Sequence, residues 1–559
     1  MTLPMPSPRT GGQILVANLL AQDVDLAFCV PGESYLPVLD ALYDARDRLR
    51  LIVCRHEGGA AYMAEAYGKL TGRPGIAFVT RGPGASNAAV GIHTAAQDSS
   101  PMILFVGQVG GDFADREAFQ EIDYRRMYGS SVKWVAQIDR ADRIPEYVAR
   151  AFRVARSGRP GPVVLALPED MLSASAAVAD AARVEPTVLH PGLGAIDALR
   201  ARLEAAKRPL VLVGGSGWNE GACADIARFI AANDLPVACA FRNQDLIDNR
   251  EAHYAGEVGI GPNPKLAARV RDADVLLVIG ERLGEMVTSG YTLLGVPNPS
   301  QALIHVHPGA DELGKVYQPS LALAASLPEF CAALAAMRAI AVPAWAGSAA
   351  EAHADYLAWQ SPRAMPGELD LWRVVGYLRD HLPEDAILVN GAGNYATWLH
   401  RLYRYPRYRT QLAPYSGSMG YGVPAAIAAK AVCPHRFVLS WNGDGCFLMN
   451  GQELATAVQY GLNVMFVVVD NGMYGTIRMH QEKQYPARVY GTDLANPDFV
   501  ALARAYGVHG ESVGRTADFE PAFERAAAHN GPSLLHLRID PQAITMNATI
   551  DQLRAQASR

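Results

Sequence analysis

"WNGDGCFLMNGQE", Trp441 to Glu453, is the stretch on which the reading of this chain turns. It follows the apolar run "RFVLS", pinches one aspartate between two glycines and then enters a helical pattern. Asp444 therefore stands where a buried strand ends and the backbone must turn. Glycines at such a point let a ligand come close to the main chain, and a helix N-terminus beyond them favours an anion. A carboxylate beside an anion site makes sense if a divalent cation bridges the two. The same residues also suit a plain strand–turn–helix connection with aspartate as its cap, so the surroundings must decide.

After Gly445 come 24 residues, 446 to 469, and then "DNGMYG". A second strand pattern, "NVMFVVV", ends there, separated from the first by one expected helix, "GQELATAVQYG". Consecutive strands of a parallel β–α–β unit end on one edge, where open α/β sheets bind ligands. Asp444 and Asn471 are thus expected to face a common site. Two side-chain oxygens, a backbone carbonyl and phosphate oxygens suit Mg²⁺.

The same rhythm runs through the chain. "DLAFCV", "LIVCR", "GIAFVT", "MILFVG" and "PVVLAL" are strand-like and alternate with helical patterns such as "YMAEAYGKL". The rhythm pauses at "LSASAAVADAARVEPTVLHPG", resumes with "PLVLVGG", "PVACAF", "VLLVIG" and "ALIHVHP", and pauses again at "VPAWAGSAAEAHADY". A last set holds "AILVN", "RFVLSWNGDG", "NVMFVVVDNG" and "SLLHLRI". The fold class expected is α/β, with three doubly wound parallel-sheet domains near 1–180, 190–340 and 365–545. The similar rhythm of the first and third hints at duplication.

Composition sets outer bounds. A chain of 559 residues is too long for one core. With 50 Lys+Arg against 56 Asp+Glu and a net charge of −6, nothing points to a nucleic-acid partner. Seven scattered cysteines without a C-x-x-C pair suit a reducing, cytoplasmic setting. The start, "MTLPMPSPRTGGQ", lacks the layout of a signal peptide. No uncharged apolar run reaches the roughly 18 residues of a membrane span.

"GDG", a spacer of this length and then Asn resembles the thiamine diphosphate binding motif. "RHEGGAAYMAEAYGKLTGRPGIAFVTRGPGASN" resembles the pyrimidine-binding domain of the same superfamily. "VPGESYLPVLDAL", "AAQDSSPMILFVGQV", "AFQEID", "SGRPGPVVLALPEDM" and "GSMGYGVPAAIAA" extend the likeness over nearly the whole chain. Through "AFQE" and the "GxMG" segment it is most similar to the acetohydroxyacid synthase (acetolactate synthase) branch. The resemblance makes 1–180 the pyrimidine-binding domain, 190–340 a central Rossmann-like domain and 365–545 the diphosphate and magnesium domain.

The cofactor reacts at its thiazolium C2 and supplies the hard chemistry. The protein must hold it bent, with the pyrimidine amino group against C2. By resemblance, Glu57 meets the pyrimidine N1′, Met419 wedges between the two rings and Gly417 offers its carbonyl to the amino group. Asp444 and Asn471 hold the metal through side chains and Met473 through its carbonyl; Gly443, Gly445 and Cys446 cradle the diphosphate, with Tyr474 and Gly475 beside them. "GAGNYATW" resembles the other diphosphate loop, with Asn394 and Tyr395 in place of the usual Gln and His.

Phe119 and Gln120 match synthase residues beside the 2-oxo acid, and the His pair of pyruvate decarboxylases is missing from "GQVGGDF". A decarboxylase needs a proton donor at the reacting centre and a carboligase is served by lacking one, so ligation is favoured. Glu33, where synthases have Gly, is either an acid aimed at that centre or a solvated loop carboxylate. His480 stands where anabolic synthases carry an acceptor-selecting tryptophan. "LVGGSGW" and "VIGERLGEM" leave flavin adenine dinucleotide open. The implied active unit is a homodimer with two shared sites, with a tetramer and a regulatory subunit left open. A non-oxidative 2-oxo acid decarboxylase, a C–C lyase or an idle ligand-binding homologue are the competing readings.

Overall fold

In the computed structural model of the chain, residues 7–557 are described; the expectation about the leading residues falls partly on 1–6, outside them. Three six-stranded sheets, all parallel, carry the architecture. The first runs Arg50–Val53, Leu26–Cys29, Gly75–Val79, Met102–Gln108, Pro162–Pro168, Trp134–Gln137. Numbered along the chain, its strands lie in the order 2-1-3-4-6-5, and the third sheet, from Ile387–Asn390 to Ser533–Arg538, repeats that order. The duplication hinted at by the sequence rhythm is thus a duplication of topology. The middle sheet, from Pro209–Val213 to Leu321–Ala324, has the order 3-2-1-4-5-6, that of dinucleotide-binding folds. A short antiparallel pair, Arg9–Thr10 with Ser175–Ala176, stands apart.

The strands form where apolar β-branched residues run without interruption because both faces are covered. In Pro209–Val213, Leu210 and Leu212 join one apolar cluster while Val211 and Val213 join another. All four are almost fully buried.

Two sequence expectations need correction. The stretch "VPAWAGSAAEAHADY" is not wholly a pause in the rhythm: Ser348–Trp359 is a helix, and its Tyr356 packs edge-on against Tyr254 with ring centroids 4.9 Å apart. Its Ala-rich composition supports a helix, and two buried aromatics, Trp345 and Tyr356, anchor it to the middle core. Similarly, "GQELATAVQYG" is not one continuous helix but a 3₁₀ turn, Gly451–Glu453, followed by Leu454–Gln459.

The chain forms two compact units. One holds the described residues through Thr187 with Val423–Pro434 and Asn450–Leu462; the other holds Val188–Gly422, His435–Met449 and the described residues from Asn463 onward. The segment that follows Asp444 therefore leaves the unit of its own sheet.

Candidate active site

In the second unit, strands Val438–Gly443 and Met465–Asp470 pair in parallel register, Gly443 opposite Val469. Asp444 opens the short helix Asp444–Phe447 directly after the first strand, and Asn471 follows the second. Strand Ile387–Asn390 lies on the other side of Val438–Gly443, between it and Gln411–Leu412. The strand order reverses there, at the position where open α/β sheets bind ligands.

A cavity of about 220 Å³ sits at this edge. Gly417, Met419, Gly443, Asp444, Gly445, Cys446, Asn471, Met473, Tyr474, Gly475, Asn394 and Tyr395 all line it. Three loops and the start of a helix thus converge from 82 positions of sequence, 394 to 475. His480 is exposed on the helix Gly475–Gln484 and is not among the lining residues.

Asp444 is buried, and Asn496 Nδ2 donates to its Oδ2 and to Asp470 Oδ1, 2.8 Å each. Burial, reinforced by the neighbouring Asp470, holds the Asp444 carboxyl above the usual carboxylate range. Burial also pushes Asp470 up, but the His536 imidazole 2.9 Å away and the Gly472 N–H outweigh it, and Asp470 stays below that range. Asn496 Oδ1 is buried and meets no donor among the described residues. Two carboxylates around one amide, with a spare oxygen, form a hard-oxygen set that fits a small divalent cation. No group of three or more His, Cys, Asp or Glu that could hold a metal occurs among the described residues. Any cation here therefore relies on amide and backbone oxygens as well.

The glycines of "GDG" have a different reason from the one expected. A Cβ on Gly443 would lie 2.6 Å from the Tyr395 ring, and one on Gly445 2.6 Å from the Tyr474 ring. Protein rings, not only a ligand, claim that space. Gly417 differs: its φ of +67° suits glycine, and a Cβ there would meet nothing within 4 Å. Asn394 and Tyr395 line the cavity with their polar atoms engaged by protein. Asn394 bonds Thr476 and the Ile544 carbonyl, at 3.0 Å each, and the buried Tyr395 hydroxyl donates to Cys446 Sγ at 3.2 Å.

In the first unit, Glu57 opens the helix Glu57–Thr71 and receives Asn87 Nδ2 on its Oε2 at 2.9 Å. Glu33, after strand Leu26–Cys29, lies 3.6 Å from the guanidinium of Arg81, after strand Gly75–Val79. These two strands flank the reversal of the first sheet. The Glu33 side chain is 69% exposed and ion-paired. Arg81 also pairs with Glu169 and donates to the Phe119 carbonyl at 3.1 Å. The next N–H, Gly82, donates to the Gln120 carbonyl at 3.0 Å. Gln120 has φ +64° and Phe119 is 72% exposed, so the loop that carries them is clamped by its backbone.

Sequence reading gave no role to Arg81, Glu169, Asn87 or Asn496. A charged residue directly after an apolar strand, as in "TRGPG", was the one signal for Arg81; Asn496 had none.

At the reversal of the middle sheet, a Cβ on Gly215 would lie 2.0 Å from the Gly280 carbonyl oxygen, and one on Gly214 3.0 Å from Glu281 Oε2. The two Gly turns pack on each other, and burial raises the Glu281 carboxyl beside them.

Comparison with known proteins agrees with this geometry. Residues 391–537 match the thiamine pyrophosphate enzyme C-terminal TPP binding domain, 9–127 the N-terminal TPP binding domain and 196–334 the central domain. The acetolactate synthase isozyme 2 large subunit of Escherichia coli (strain K12) is 31% identical over 534 residues, covering 95% of each chain. The acetolactate synthase large subunit of Parasynechococcus marenigrum is 34% identical over 91% of this chain and 84% of its own. That of Corynebacterium glutamicum is 30% identical over 94% and 86%. With all three domains matched and relatives aligned almost end to end, the chain belongs to the thiamine pyrophosphate enzymes and is a carboligase-type enzyme of their acetolactate synthase branch.

Proposed function

We propose that the enzyme decarboxylates pyruvate or a related 2-oxo acid and joins the two-carbon unit to a second carbonyl compound, with thiamine diphosphate and Mg²⁺ bound. The observation that carries this reading is the single cavity that gathers Asp444, Asn471, Met473, Gly417 and Met419 at a strand-order reversal. Asp444, Asn471 and the Met473 carbonyl would hold the cation; the N–H of Cys446, in the first turn of Asp444–Phe447, would receive the diphosphate, with that of Gly445, which here donates to the Asp444 carboxylate, beside it. When bound, the cofactor would supply the nucleophilic carbon that this chemistry needs. Glu57 would hold the pyrimidine ring by a hydrogen bond and move a proton at its ring nitrogen. Asn87 steers that carboxylate. Phe119 and Gln120 border the 2-oxo acid, on a loop held by Arg81.

The active unit is a homodimer at minimum, each site taking Glu57 from one chain and Asp444 from the other. The relatives' designation as large subunits supports a regulatory partner. All seven cysteines are free, and no helix among the described residues is long and apolar enough to cross a membrane, which suits a cytoplasmic enzyme. Incubating apoprotein with Mg²⁺, thiamine diphosphate and pyruvate, and assaying acetolactate, acetaldehyde and CO₂, tests the reading. Acetolactate is expected; acetaldehyde alone makes the enzyme a decarboxylase, and no CO₂ removes pyruvate as donor.

A further inference from the structure

We propose that Glu453 is a positioning residue for Glu57 of its own chain, although it follows Asp444 by only nine residues. The inference rests on the thiamine diphosphate reading of the site.

Glu453 is fully buried. Its Oε1 accepts the backbone N–H groups of Arg55 and His56 at 3.0 Å each, and its Oε2 accepts Arg55 N at 3.2 Å and the Thr456 hydroxyl at 2.5 Å. Arg55 and His56 are the two residues directly before Glu57, at the N-terminus of the helix Glu57–Thr71. A buried carboxylate is tolerated only with such partners, and an anion at a helix N-terminus is further favoured. There is no slack in the arrangement: a Cβ on Gly59 would lie 2.5 Å from Glu453 Oε1. Rotation of the turn that aims Glu57 is therefore tied to one side chain contributed by Gly451–Glu453.

The partition of the chain makes this consequential. Asn450–Leu462 belongs to the same compact unit as Glu57, whereas Asp444 belongs to the other. A single short stretch thus serves the diphosphate end through Asp444 and the pyrimidine end through Glu453. If each site takes those two ends from different chains, the stretch serves both sites of a dimer.

A double-mutant cycle on thiamine diphosphate affinity tests the inference without any assumption about the dimer. E453Q keeps the shape and is expected to weaken binding about tenfold in the wild-type background and not at all in an E57Q background, because coupled residues are non-additive. Equal losses in both backgrounds overturn it. If E453Q does not fold, T456V, which removes one hydroxyl from the Glu453 carboxylate, carries the same cycle with an expected loss of about threefold. Hybrid dimers give the second readout. An E453Q chain mixed with a D444A chain should regain activity, and one mixed with an E57Q chain should not; the reverse grouping overturns the proposal. The E57Q with D444A hybrid is the control, and its failure with the cycle intact rejects the shared-site arrangement alone.

Discussion

Asp444 and Asp470, each at the C-terminal end of a neighbouring strand, are joined by one side chain: Asn496 donates its amide to both, at 2.8 Å. The pairing keeps two close carboxylates from facing each other without a donor between them, and it leaves the buried Asn496 Oδ1 without a donor among the described residues. A cation would give that oxygen a partner.

Replacing Asn496 with Ala is expected to destabilise the metal-free protein by about 2 kcal/mol, since two buried acceptors lose a donor. The loss should shrink when Mg²⁺ is added, because the cation takes over the compensation. Thermal melts with and without Mg²⁺ check this; an equal loss in both conditions means that Asn496 is purely structural.

Gly445→Ala brings a methyl group to about 2.6 Å from the Tyr474 ring, closer than carbon atoms approach. The ring must turn, and it lines the cavity. Thiamine diphosphate binding, followed by tryptophan fluorescence, should fall by tenfold or more, about 1.4 kcal/mol at least, while Gly417→Ala loses less from crowding because its Cβ position is open.

Arg81→Ala frees Glu33 and Glu169 and releases the Phe119 carbonyl. Its effect should fall on the 2-oxo acid and not on the cofactor: KM rises roughly tenfold, about 1.4 kcal/mol, with thiamine diphosphate affinity unchanged. Glu33→Gly should shift the product ratio and likewise spare cofactor binding. Unchanged products would reduce Glu33 to a rim ion pair.

The second unit carries two acids, Asp245 and Glu257, whose titration should show in stability. Asp245, accepting the N–H groups of Thr410 and Gln411, is raised by burial to about 6, and Glu257, beside Arg242, is raised by burial to about 7. Both folded values lie above the unfolded ones, so the stability they contribute is complete below about pH 4 and is lost as pH rises through 6 and 7. Each contributes about 3 kcal/mol of pH dependence at most. Asp245→Asn should therefore gain stability relative to wild type as pH rises from about 4 to about 6 and keep that gain above it. Parallel melting curves across that range would contradict the assignment.

The strands that the sequence made legible are nearly all interior ones, such as Val438–Gly443 and Gly75–Val79, buried along their whole length. Five of the six sheet edges escaped: Trp134–Gln137, Tyr254–Val258, Leu321–Ala324, Gln411–Leu412 and His509–Val513. Most are short or half-exposed, "HGESV" among them, and an edge strand with one open side needs no apolar run to form. Asp444 and Asn471 could be placed together from sequence because parallel register alone brings two strand ends to one edge.

What the chain's order of residues determined by itself was the alternation of strands and helices, the two strands that end just before Asp444 and Asn471, and the kinship these carry. Tertiary structure alone decided that Asn496 joins two aspartates, that Arg81 gathers Glu33, Glu169 and the Phe119 loop, and that Glu453 accepts the N–H groups of the two residues directly before Glu57. The reason is physical: hydrophobic periodicity reports that a face is buried, but it holds no information about which distant backbone N–H groups will meet the one carboxylate buried with it.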